Sequence, residues 1–365
     1  MFNGHYPGRR VLVTGHTGFK GGWLSLWLKN LGAKVWGVSL PAPTKPSFHE
    51  LITPLAFQGQ ITCDVRNAGL LAKAIKKIKP DIIFHLAAQP ISRVSYAEPL
   101  RTFETNALGT ANLLEAVRTL QLPCPVVAVT SDKCYENREW DFAYRETDTL
   151  GGHDVYSASK AAAELVAQSW YRSFFKPDAR LGPVATARAG NVIGGGDYAP
   201  DRILPDCIRA LMKKKTIVVR NPVAVRPWQH VLECLSGYLW LGARIASEPK
   251  TSKIVSSFNF GPDPGTRQPV RKLVEEVLSI WPGKWVDGSK SGNVHEATLL
   301  RLSIEKAGAL LQWTPTWEFK EAVRRSVEWY HQRHAGRKMD MVEFSLEQID
   351  AYVAAARRKQ TAWAL

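Results

Sequence analysis

The sequence lacks a long apolar run: no stretch of about 18 or more consecutive apolar residues occurs, the length that a membrane-spanning helix requires. The N-terminal stretch MFNGHYPGRR also lacks the apolar core of a signal peptide. Neither an internal repeat nor a low-complexity segment is present. We therefore expect a cytoplasmic protein with no membrane partner.

Cysteine is scarce, with five residues in a chain of 365. None stands in the CxxC spacing that is typical of redox motifs and zinc sites. The scatter favours free thiols in a reducing compartment, with no disulfide framework and no metal site. The five are Cys63, Cys124, Cys134, Cys207 and Cys234.

Acidic residues are fewer than basic ones, 33 against 48, which gives a net charge of +15. Such an excess is also found in nucleic-acid-binding proteins. Here, however, the lysines fall in short groups, KAIKKIKP and MKKKT, near predicted helix ends, where solvated faces are usual. We expect no nucleic-acid partner, and a surface that attracts anionic small molecules.

Residues 11–40 read as a strand, a glycine loop, a helix and a second strand. Gly15, Gly18 and Gly21 stand between the apolar run 11–13 and the helix. Glycines at such a turn let backbone N–H groups approach a diphosphate, and the helix N-terminus adds partial positive charge. The stretch predicts dinucleotide binding, with a glycine-rich turn that holds no ligand as the alternative.

The cofactor type is left open by this stretch. The pattern is GxxGxxG rather than GxGxxG, and the second strand ends at Ser39 without the carboxylate that often binds the ribose of NAD. No arginine that would favour NADP stands there either, although Lys45 is nearby. NAD and NADP are both compatible with these residues.

Strand-like and helix-like segments alternate through the first half of the chain. This alternation predicts an α/β fold with a doubly wound parallel sheet, the Rossmann type. The further strands are QITCDVRN, DIIFHLAA, PVVAVTSD and VATARAGNVIG. The helices between them are AGLLAKAIKKI, residues 100–120 and a helix from about Tyr156.

The pattern loosens after Gly194, which predicts a division into two lobes. Residues 1–190 are predicted to form the Rossmann domain, and residues 191–365 mostly a smaller lobe that closes over the cleft. Segments near 222–247 and 256–262, including RPWQHV and FNFG, are expected to return to the main sheet. Residues 339–360 are predicted to be helical.

The sequence YSASK places Tyr156 and Lys160 one helical turn apart, on one face. A lysine ammonium there would lower the tyrosine pKa. A phenolate can take a proton from an alcohol while hydride passes to nicotinamide. An exposed tyrosine and lysine on a helix face are the alternative. The preceding glycine loop, and a fifth strand that ends at Ser131, favour the catalytic interpretation.

Several motifs together resemble the extended short-chain dehydrogenase/reductases of the sugar-nucleotide type. They are TGHTGFKG, DVRN, HLAAQ, TNALGTANLLEA, TSDKCY, YSASKAAAE, RAGNVIGGGD, NFGP and LSIEKAGALLQWTPTW. Within this family the chain is most similar to the CDP-glucose 4,6-dehydratases. The shared features are the GHTGFKGGWL loop, the stretch SLPAPTKPSFHE, and Asp132-Lys133 where related dehydratases have Asp-Glu.

The resemblance implies NAD as cofactor and a hydro-lyase reaction. CDP-glucose would become CDP-4-dehydro-6-deoxy-D-glucose by oxidation at C4, loss of water across C5–C6 and hydride return to C6. Tyr156 would remove the 4-hydroxyl proton, and Asp132 would protonate the departing 6-hydroxyl. Lys133 would be the C5 base, or would merely hold Asp132 or a phosphate. The product would serve dideoxysugar synthesis for surface polysaccharide such as the O-antigen of lipopolysaccharide.

The resemblance also implies the site residues. The catalytic residues are Ser131, Asp132, Lys133, Tyr156 and Lys160. The cofactor-binding residues are Gly15, His16, Thr17, Gly18, Phe19, Lys20, Gly21, Ser39, Asp64, Val65, Leu86, Ala87, Ala88, Tyr156 and Lys160. The substrate-binding residues are Gln89, Arg93, Tyr96, Asn106, Asn191, Arg202 and Arg226. Of these, Asn191, Arg202 and Arg226 would bind the substrate diphosphate or nucleotide, and Arg93 and Tyr96 would face the sugar.

Three of these assignments carry specific expectations. His16 and Lys20 would narrow the path of the diphosphate, so that NAD is held less tightly than usual. Asp64 would approach the adenine amino group. Asn106 could instead be a helix-packing residue, and each arginine a surface charge.

Rival functions remain on the same fold. An NDP-sugar 4-epimerase or reductase is disfavoured by Asp132-Lys133, and a non-enzymatic nucleotide sensor by the presence of both Tyr156 and Lys160. We also expect a homodimer, with a tetramer as the alternative. The helices near residues 100–120 and 156–175 carry surplus apolar residues: Leu108, Leu113, Leu114, Val117, Leu165, Val166 and Trp170.

Overall fold

Thirteen strands and twelve α-helices form the part of the chain that this computed structural model describes, residues 1–263, 265–266, 268–289, 299–334 and 340–365. The strands are β1 (Arg10–Thr14), β2 (Lys34–Ser39), β3 (Gly59–Thr62), β4 (Ile82–His85), β5 (Val126–Val129), β6 (Val184–Ala189), β7 (Val192–Ile193), β8 (Ile217–Val219), β9 (Val225–Arg226), β10 (Gln229–His230), β11 (Ser257–Phe260), β12 (Gln268–Pro269) and β13 (Trp285–Asp287).

The helices lie between and after these strands. They are α1 (Phe19–Asn30), α2 (Phe48–Ala56), α3 (Ala68–Ile78), α4 (Ser92–Ala97), α5 (Pro99–Phe103), α6 (Gly109–Thr119), α7 (Val155–Trp170), α8 (Ile203–Met212), α9 (Val231–Ser247), α10 (Val270–Ile280), α11 (Phe319–His334) and α12 (Met341–Arg358). A π-helical turn, Glu104–Leu108, joins α5 to α6, so the predicted long helix at 100–120 is one nearly continuous helical segment.

Seven parallel strands form the main sheet, in the order β11-β6-β5-β4-β1-β2-β3. This arrangement confirms the predicted doubly wound parallel sheet. The order of the strands reverses between β1 and β4. In such sheets the loops at the carboxyl ends of the strands diverge at this point and leave a crevice for a ligand.

Apolar clusters cover both faces of the sheet. In β1, Val11 and Val13 join one cluster and Leu12 joins the other, because successive side chains of a strand point to opposite faces. The first cluster includes apolar residues of α1, α9 and α12, and the second those of α3 and α6. Helices on both faces bury the central strands β1, β4, β5 and β6 almost completely, which explains their near-continuous apolar sequences, whereas β3 at the edge is only partly buried.

In the second half of the chain, one of the two segments expected to join the main sheet does so and the other does not. The segment FNFG forms β11 and pairs with β6, as expected. RPWQHV, in contrast, does not join the main sheet: β9 pairs with β12, and β10 pairs with β7. The predicted sixth strand, VATARAGNVIG, also breaks at Gly190 into β6 and β7.

Helix α9 does return to the sheet. A Cβ at Gly242 would stand 2.9 Å from the side chains of Ile82 and Phe84, and one at Gly237 would overlap Phe260. Small residues thus let this helix lie directly on β4 and β11. The predicted C-terminal helix is α12, from Met341, and residue 339 lies outside the described residues. The division into two lobes stays a prediction.

None of the helices in the described ranges combines the length and the apolar character that crossing a membrane would require.

Candidate active site

A cleft of about 860 Å³ opens along the carboxyl ends of the main-sheet strands. Its volume lies within the range of small-molecule and cofactor sites. The glycine loop after β1, the segment Leu86–Ala88 after β4 and the turn after β5 form one side. Residues that follow β6 and β8 form the other side. The topological switch point and the cleft therefore coincide.

The glycine loop fits a diphosphate. Gly15 has a φ of +75°, and a Cβ there would stand 2.7 Å from the backbone nitrogen of Ala87. A Cβ at Gly21 would stand 2.2 Å from the carbonyl oxygen of Gly15. Helix α1 begins after Gly18 and has no acidic residue in its first turn, so its free N–H groups face the cleft without a competing carboxylate.

His16 does not line the cleft, contrary to the expectation that it narrows the diphosphate path. Its ring is buried, its Nε2 lies 2.9 Å from Oε1 of Gln60, and it packs edge-on against His49 and Phe57. Gly37 of β2 makes room, because a Cβ there would lie 2.4 Å from the imidazole. Burial lowers the pKa of His16 to about 4, so the ring is neutral and supports the loop from behind.

Lys20 does line the cleft and extends its charge toward the catalytic residues. Its ammonium acts on the pKa values of both Lys160 and Asp132, which also line the cleft. Of the two unusual loop residues, only Lys20 therefore lines the cleft.

Asp64 and Ser39 line the part of the cleft beyond the ends of β2 and β3. Asp64 lies two residues beyond β3, and the side chain of Arg66 binds its carboxylate at 2.7 Å. These bonds to Arg66 lower the pKa of Asp64 and keep it ionised. Ser39, at the end of β2, lies 2.9 Å from the hydroxyl of Thr17 and so ties this end to the glycine loop.

Ser131, Asp132, Tyr156 and Lys160 converge at the centre of the cleft. Ser131 and Asp132 stand in the 3₁₀ turn that follows β5, and all four side chains are buried. Tyr156 and Lys160 lie in the first turns of α7, which Asp154 caps by accepting a hydrogen bond from the Ser157 N–H at 3.0 Å. The predicted catalytic residues are thus brought together by one strand end and one helix start.

The expected lowering of the Tyr156 pKa by Lys160 is not found. Burial raises the pKa of Tyr156 to about 12, with a hydrogen bond to Ser131 acting in the other direction. The lysine shifts instead: burial, and then the ammonium of Lys20, lower the pKa of Lys160 to about 8. For each of the two groups, desolvation by burial is the largest cause of the shift.

Asp132 is a buried carboxyl with a raised pKa. Burial raises its pKa, while Lys133, Ser131, Lys20 and Arg226 act in the opposite direction. Its Oδ1 accepts a hydrogen bond from Ser131 at 3.0 Å, whereas its Oδ2 has no partner among the described residues. A carboxyl kept neutral by its surroundings can donate a proton.

The side chain of Lys133 lies in the same cleft and extends toward Ser92. Its Nζ lies 3.4 Å from the hydroxyl of Ser92, at the start of α4. The Lys133 backbone N–H donates to the Ser131 hydroxyl at 3.3 Å. The side chain therefore reaches over the cleft from the β5 turn toward the loop after β4.

A fully buried ion pair supports the centre from below. Glu164, one turn after Lys160 in α7, accepts a hydrogen bond from Arg188 of β6 at 2.7 Å. Burial alone would raise the Glu164 pKa, but Arg188 and the hydroxyls of Thr130 and Thr186 hold it below its usual value. This network ties α7 to β5 and β6, which carry the catalytic side chains.

Polar residues from the second half of the chain complete the cleft. Arg202 binds the buried Asp197 at 2.8 Å, and Arg226 stands close enough to Asp132 to act on its pKa. Gly190 separates these walls: a Cβ there would lie 3.0 Å from Oδ2 of Asp132 and closer still to Pro227. The glycine that ends β6 therefore lets Pro227 and Asp132 approach each other.

The sequence model of the NAD dependent epimerase/dehydratase family matches residues 11–256, which is more than half of the chain. The chain belongs to this family. The assignment confirms the family that the motifs predicted from the sequence.

Known members are similar over nearly the whole chain. A CDP-glucose 4,6-dehydratase of Salmonella typhimurium strain LT2 is 43% identical over 359 residues, or 97% of this chain and 98% of the relative. Among solved structures, dTDP-glucose 4,6-dehydratase of Bacillus anthracis in complex with NAD superposes with a TM-score of 0.72 at 21% identity, covering 90% and 98% of the two chains. The Streptomyces venezuelae dTDP-glucose 4,6-dehydratase gives 0.73 at 24%, covering 90% and 98%.

Most of the residues predicted from the family motifs line the cleft. They are Gly15, Thr17, Gly18, Phe19, Lys20, Gly21, Ser39, Asp64, Val65, Leu86, Ala87, Ala88, Gln89, Arg93, Tyr96, Ser131, Asp132, Lys133, Tyr156, Lys160, Asn191, Arg202 and Arg226. Their individual roles stay predictions.

Asn106, which was predicted to bind substrate, does not line the cleft. It is buried, accepts a hydrogen bond from the Gln89 N–H at 2.8 Å and donates to the Ser159 hydroxyl at 2.8 Å. It therefore joins the loop after β4 to α7 and positions both. This is the packing role that was the alternative for this helical asparagine.

Sequence reasoning missed several residues of the site. Glu164 follows Lys160 at the helical spacing of four, a signal that could have found it. Asp154, Asp201 and Arg220 also line the cleft, but they stand in segments without a regular pattern. Only contacts between distant parts of the chain identify them.

Proposed function

We propose that this chain is an NAD-dependent CDP-D-glucose 4,6-dehydratase, a hydro-lyase. The observation that carries the proposal is Asp132, a buried carboxyl with a raised pKa and a free oxygen, next to Ser131 and Tyr156. Oxidation at C4 alone needs only the tyrosine, whereas loss of water needs an additional proton donor. The full-length likeness to the Salmonella enzyme supports cytidine as the nucleoside.

NAD, when bound, would accept the C4 hydride and return it to C6, which is the chemistry that the protein side chains cannot supply. The glycine loop and the α1 N-terminus would hold its diphosphate, and Asp64 would lie near its adenine. Leu86, Ala87 and Ala88 would line the nicotinamide side. The weaker hold on the cofactor that the resemblance implies stays part of the proposal, with Lys20 as the loop residue that lines the cleft.

Tyr156 would take the proton of the 4-hydroxyl. Its raised pKa means that the phenol is neutral in the surroundings described here, so the base must be generated in the loaded site. A cationic nicotinamide ring and the ammonium of Lys160 both favour phenolate. With a pKa of about 8, Lys160 is still mostly protonated at neutral pH.

Asp132 would protonate the departing 6-hydroxyl, since burial raises its pKa and its Oδ2 has no partner among the described residues. Lys133 follows Asp132 in the β5 turn and also lines the cleft, and we assign the C5 proton to it. Its reach over the cleft toward Ser92 supports access to a bound sugar. A role that only holds Asp132 or a phosphate is the alternative.

An NDP-sugar 4-epimerase or reductase is the second candidate, since both act on the same fold. An epimerase returns hydride to C4 and has no use for a buried acid beside the tyrosine. The acidic and free Oδ2 of Asp132 therefore favours the dehydratase.

The setting of the enzyme is a further part of the proposal. We propose that it acts in the cytoplasm as a homodimer, in a route to dideoxysugars of surface polysaccharide. The exposed apolar side chains Leu108 and Leu165 support the dimer.

The test is incubation of the protein with NAD and, separately, CDP-, UDP-, dTDP- and GDP-glucose. Loss of one water, seen by mass spectrometry, and near-ultraviolet absorbance of a 4-keto sugar after alkali are expected, fastest with CDP-glucose. Formation of a sugar epimer without loss of water would support the second candidate. A preference for another nucleotide would overturn the assigned substrate but leave the dehydratase.

A further inference from the structure

Three charged side chains meet at the mouth of the cleft. Asp201, in the loop between β7 and α8, accepts a hydrogen bond from the guanidinium of Arg220 at 2.6 Å. The same carboxylate oxygen lies 3.4 Å from the guanidinium of Arg93. All three residues line the cleft. A single carboxylate oxygen thus joins two arginines.

This bridge connects the two walls of the cleft. Arg93 lies on α4, in the connection that follows β4 of the main sheet. Arg220 directly follows β8, which pairs with β13 outside that sheet. The Asp201 carboxylate therefore lies between residues that follow two different strands.

The backbone holds Asp201 in this place. Its φ of +59° lies in the left-handed region, which residues with a side chain adopt at a cost in free energy. The next residue, Arg202, binds the buried Asp197 inside the cleft instead. Asp201 and Arg202 are thus adjacent and oppositely charged but bind different partners: Arg202 binds Asp197, and Asp201 binds Arg220.

The charges of the bridge do not balance. Two guanidinium groups share one carboxylate, which leaves an excess of one positive charge. Arg93, Asp201 and Arg220 are each more than a third exposed, at 39%, 34% and 38% of the side chain. Ion pairs this close to solvent stabilise weakly and exchange readily. A diphosphate carries more negative charge than one carboxylate, and arginine binds phosphate oxygens in pairs.

We propose that Arg93 and Arg220 form an anion subsite for the diphosphate of the nucleotide sugar, and that Asp201 is its built-in competitor. The inference rests on the proposed function, which supplies a diphosphate substrate. The incoming diphosphate replaces the Asp201 carboxylate on both guanidinium groups. On release, the carboxylate returns and restores the bridge. Asp201 therefore weakens binding and speeds dissociation, while Arg220 strengthens binding.

The test uses the full chain and CDP as the probe, with affinity measured by titration calorimetry. Asp201→Asn keeps the shape and removes the competing charge. It should tighten CDP binding roughly 3- to 5-fold, the scale of a solvent-exposed ion pair. Arg220→Gln should weaken CDP binding roughly 10-fold, as expected for loss of a charge-assisted contact. Unchanged or weaker CDP binding by Asp201→Asn would overturn the proposal, as would unchanged binding by Arg220→Gln.

A double variant and two controls separate competition from a general change of charge or structure. In Asp201→Asn/Arg220→Gln the gain from Asp201→Asn should disappear, because the contested guanidinium is gone. Cytidine, which has no phosphate, should bind all variants equally. Asp178→Asn raises the net charge by the same amount at a surface pair with Arg180, and should leave CDP affinity unchanged. A persistent gain in the double variant, or an equal gain in cytidine or Asp178→Asn binding, would contradict the competition.

The two proposals fail in different ways. A protein that binds CDP with the predicted variant effects but releases no water from CDP-glucose would retain the subsite and refute the dehydratase. If the protein is a working dehydratase but its CDP affinity is unchanged in Asp201→Asn and Arg220→Gln, the proposed function stands and the subsite is refuted. A wild-type protein that binds no CDP would refute both.

Discussion

At the scale of single residues, the proposed reaction depends on which side chains of the site are buried away from water. Tyr156, Lys160 and Asp132 lie in one buried cluster, yet burial shifts each toward its neutral form. The raised pKa makes the Asp132 carboxyl a better proton donor, whereas the raised pKa of Tyr156 makes its phenol harder to deprotonate. The same desolvation therefore prepares Asp132 for its task and leaves Tyr156 dependent on the loaded site.

Replacement of Tyr156 by phenylalanine should remove the acceptor of the 4-hydroxyl proton and keep the ring. Turnover of CDP-glucose should drop roughly 100-fold or more, the usual scale for a lost acid–base group. Tyr171→Phe, at the far end of the same helical segment, is the matched control and should leave turnover unchanged. Steady-state kinetics with circular dichroism of both variants checks this. A Tyr156→Phe enzyme within a few-fold of wild type would show that another group is the base.

Replacement of Asp132 by asparagine should separate oxidation from elimination. The amide keeps the shape but cannot donate a proton as the carboxyl does. The variant should oxidise C4 and then stall, so that reduced-nicotinamide absorbance builds up without 6-deoxy product in single-turnover mixing. Asp178→Asn, a surface substitution, should behave as wild type. Normal product formation by Asp132→Asn would remove this carboxyl from the mechanism.

At the scale of elements, α9 joins the sheet to the C-terminal helices through one buried carboxyl. Glu233 accepts hydrogen bonds from the backbone N–H groups of Thr316 at 2.9 Å and Trp317 at 2.6 Å. It also accepts one from the hydroxyl of Tyr352, on α12, at 2.9 Å. Burial raises the pKa of Glu233 to about 7, with these donors and Lys359 acting in the opposite direction. The junction of three segments is thus sensitive to pH.

The raised pKa of Glu233 predicts a stability that falls as pH rises. Its pKa changes from 4.5 when unfolded to about 7 when folded, so the folded chain binds more protons between these values. The contribution is fully present below pH 4.5 and is lost as pH rises through 7. Glu233→Gln should therefore cost more stability at about pH 5 than at about pH 8, by roughly 2–3 kcal/mol.

Urea unfolding of wild type and variant at the two pH values measures this difference. The exposed Glu275→Gln, on α10, is the matched control and should show no such dependence. An equal cost of Glu233→Gln at both pH values would mean that Glu233 stays ionised throughout.

At the scale of the whole molecule, the helices beside the β5 turn keep apolar side chains in solvent. Leu108 and Leu165 are 52% and 56% exposed, and Phe103 and Phe174 are also exposed. Leu113, Leu114 and Val117, in contrast, are buried in the core of the protomer, so their predicted place at an interface is wrong. The exposed set is the part of these helices that a second copy can cover.

A charge on this surface should prevent the proposed dimer. Leu165→Glu should shift the mass from dimer to monomer in multi-angle light scattering at micromolar concentration, because an unpaired carboxylate cannot enter an apolar interface without a large cost. Leu55→Glu on α2, a leucine of equal 56% exposure, should not change the mass. A wild-type protein that is monomeric under these conditions would contradict the dimer at once.

The sequence by itself determined the order of strands and helices in the first half of the chain, the family, and most of the residues named here as catalytic or cofactor-binding candidates. Periodicity and glycine spacing are local properties, so β1, the glycine loop and α1 were predictable from thirty residues of chain. The Tyr156–Lys160 spacing likewise follows from one helix. These predictions are reliable because each depends only on neighbours along the chain.

The tertiary structure alone decided where side chains point and what charge they carry. His16 lies away from the cleft because its ring hydrogen-bonds to Gln60 and fits into the space that Gly37 leaves. The side chain of Asn106 forms hydrogen bonds with Gln89 and Ser159 instead of facing the cleft. The pKa of Tyr156 rises because segments far along the chain exclude water from it. Asp201 meets two arginines that stand more than one hundred residues apart in the sequence. Burial and charge pairing depend on which distant segments pack together, and a local pattern carries no record of that packing.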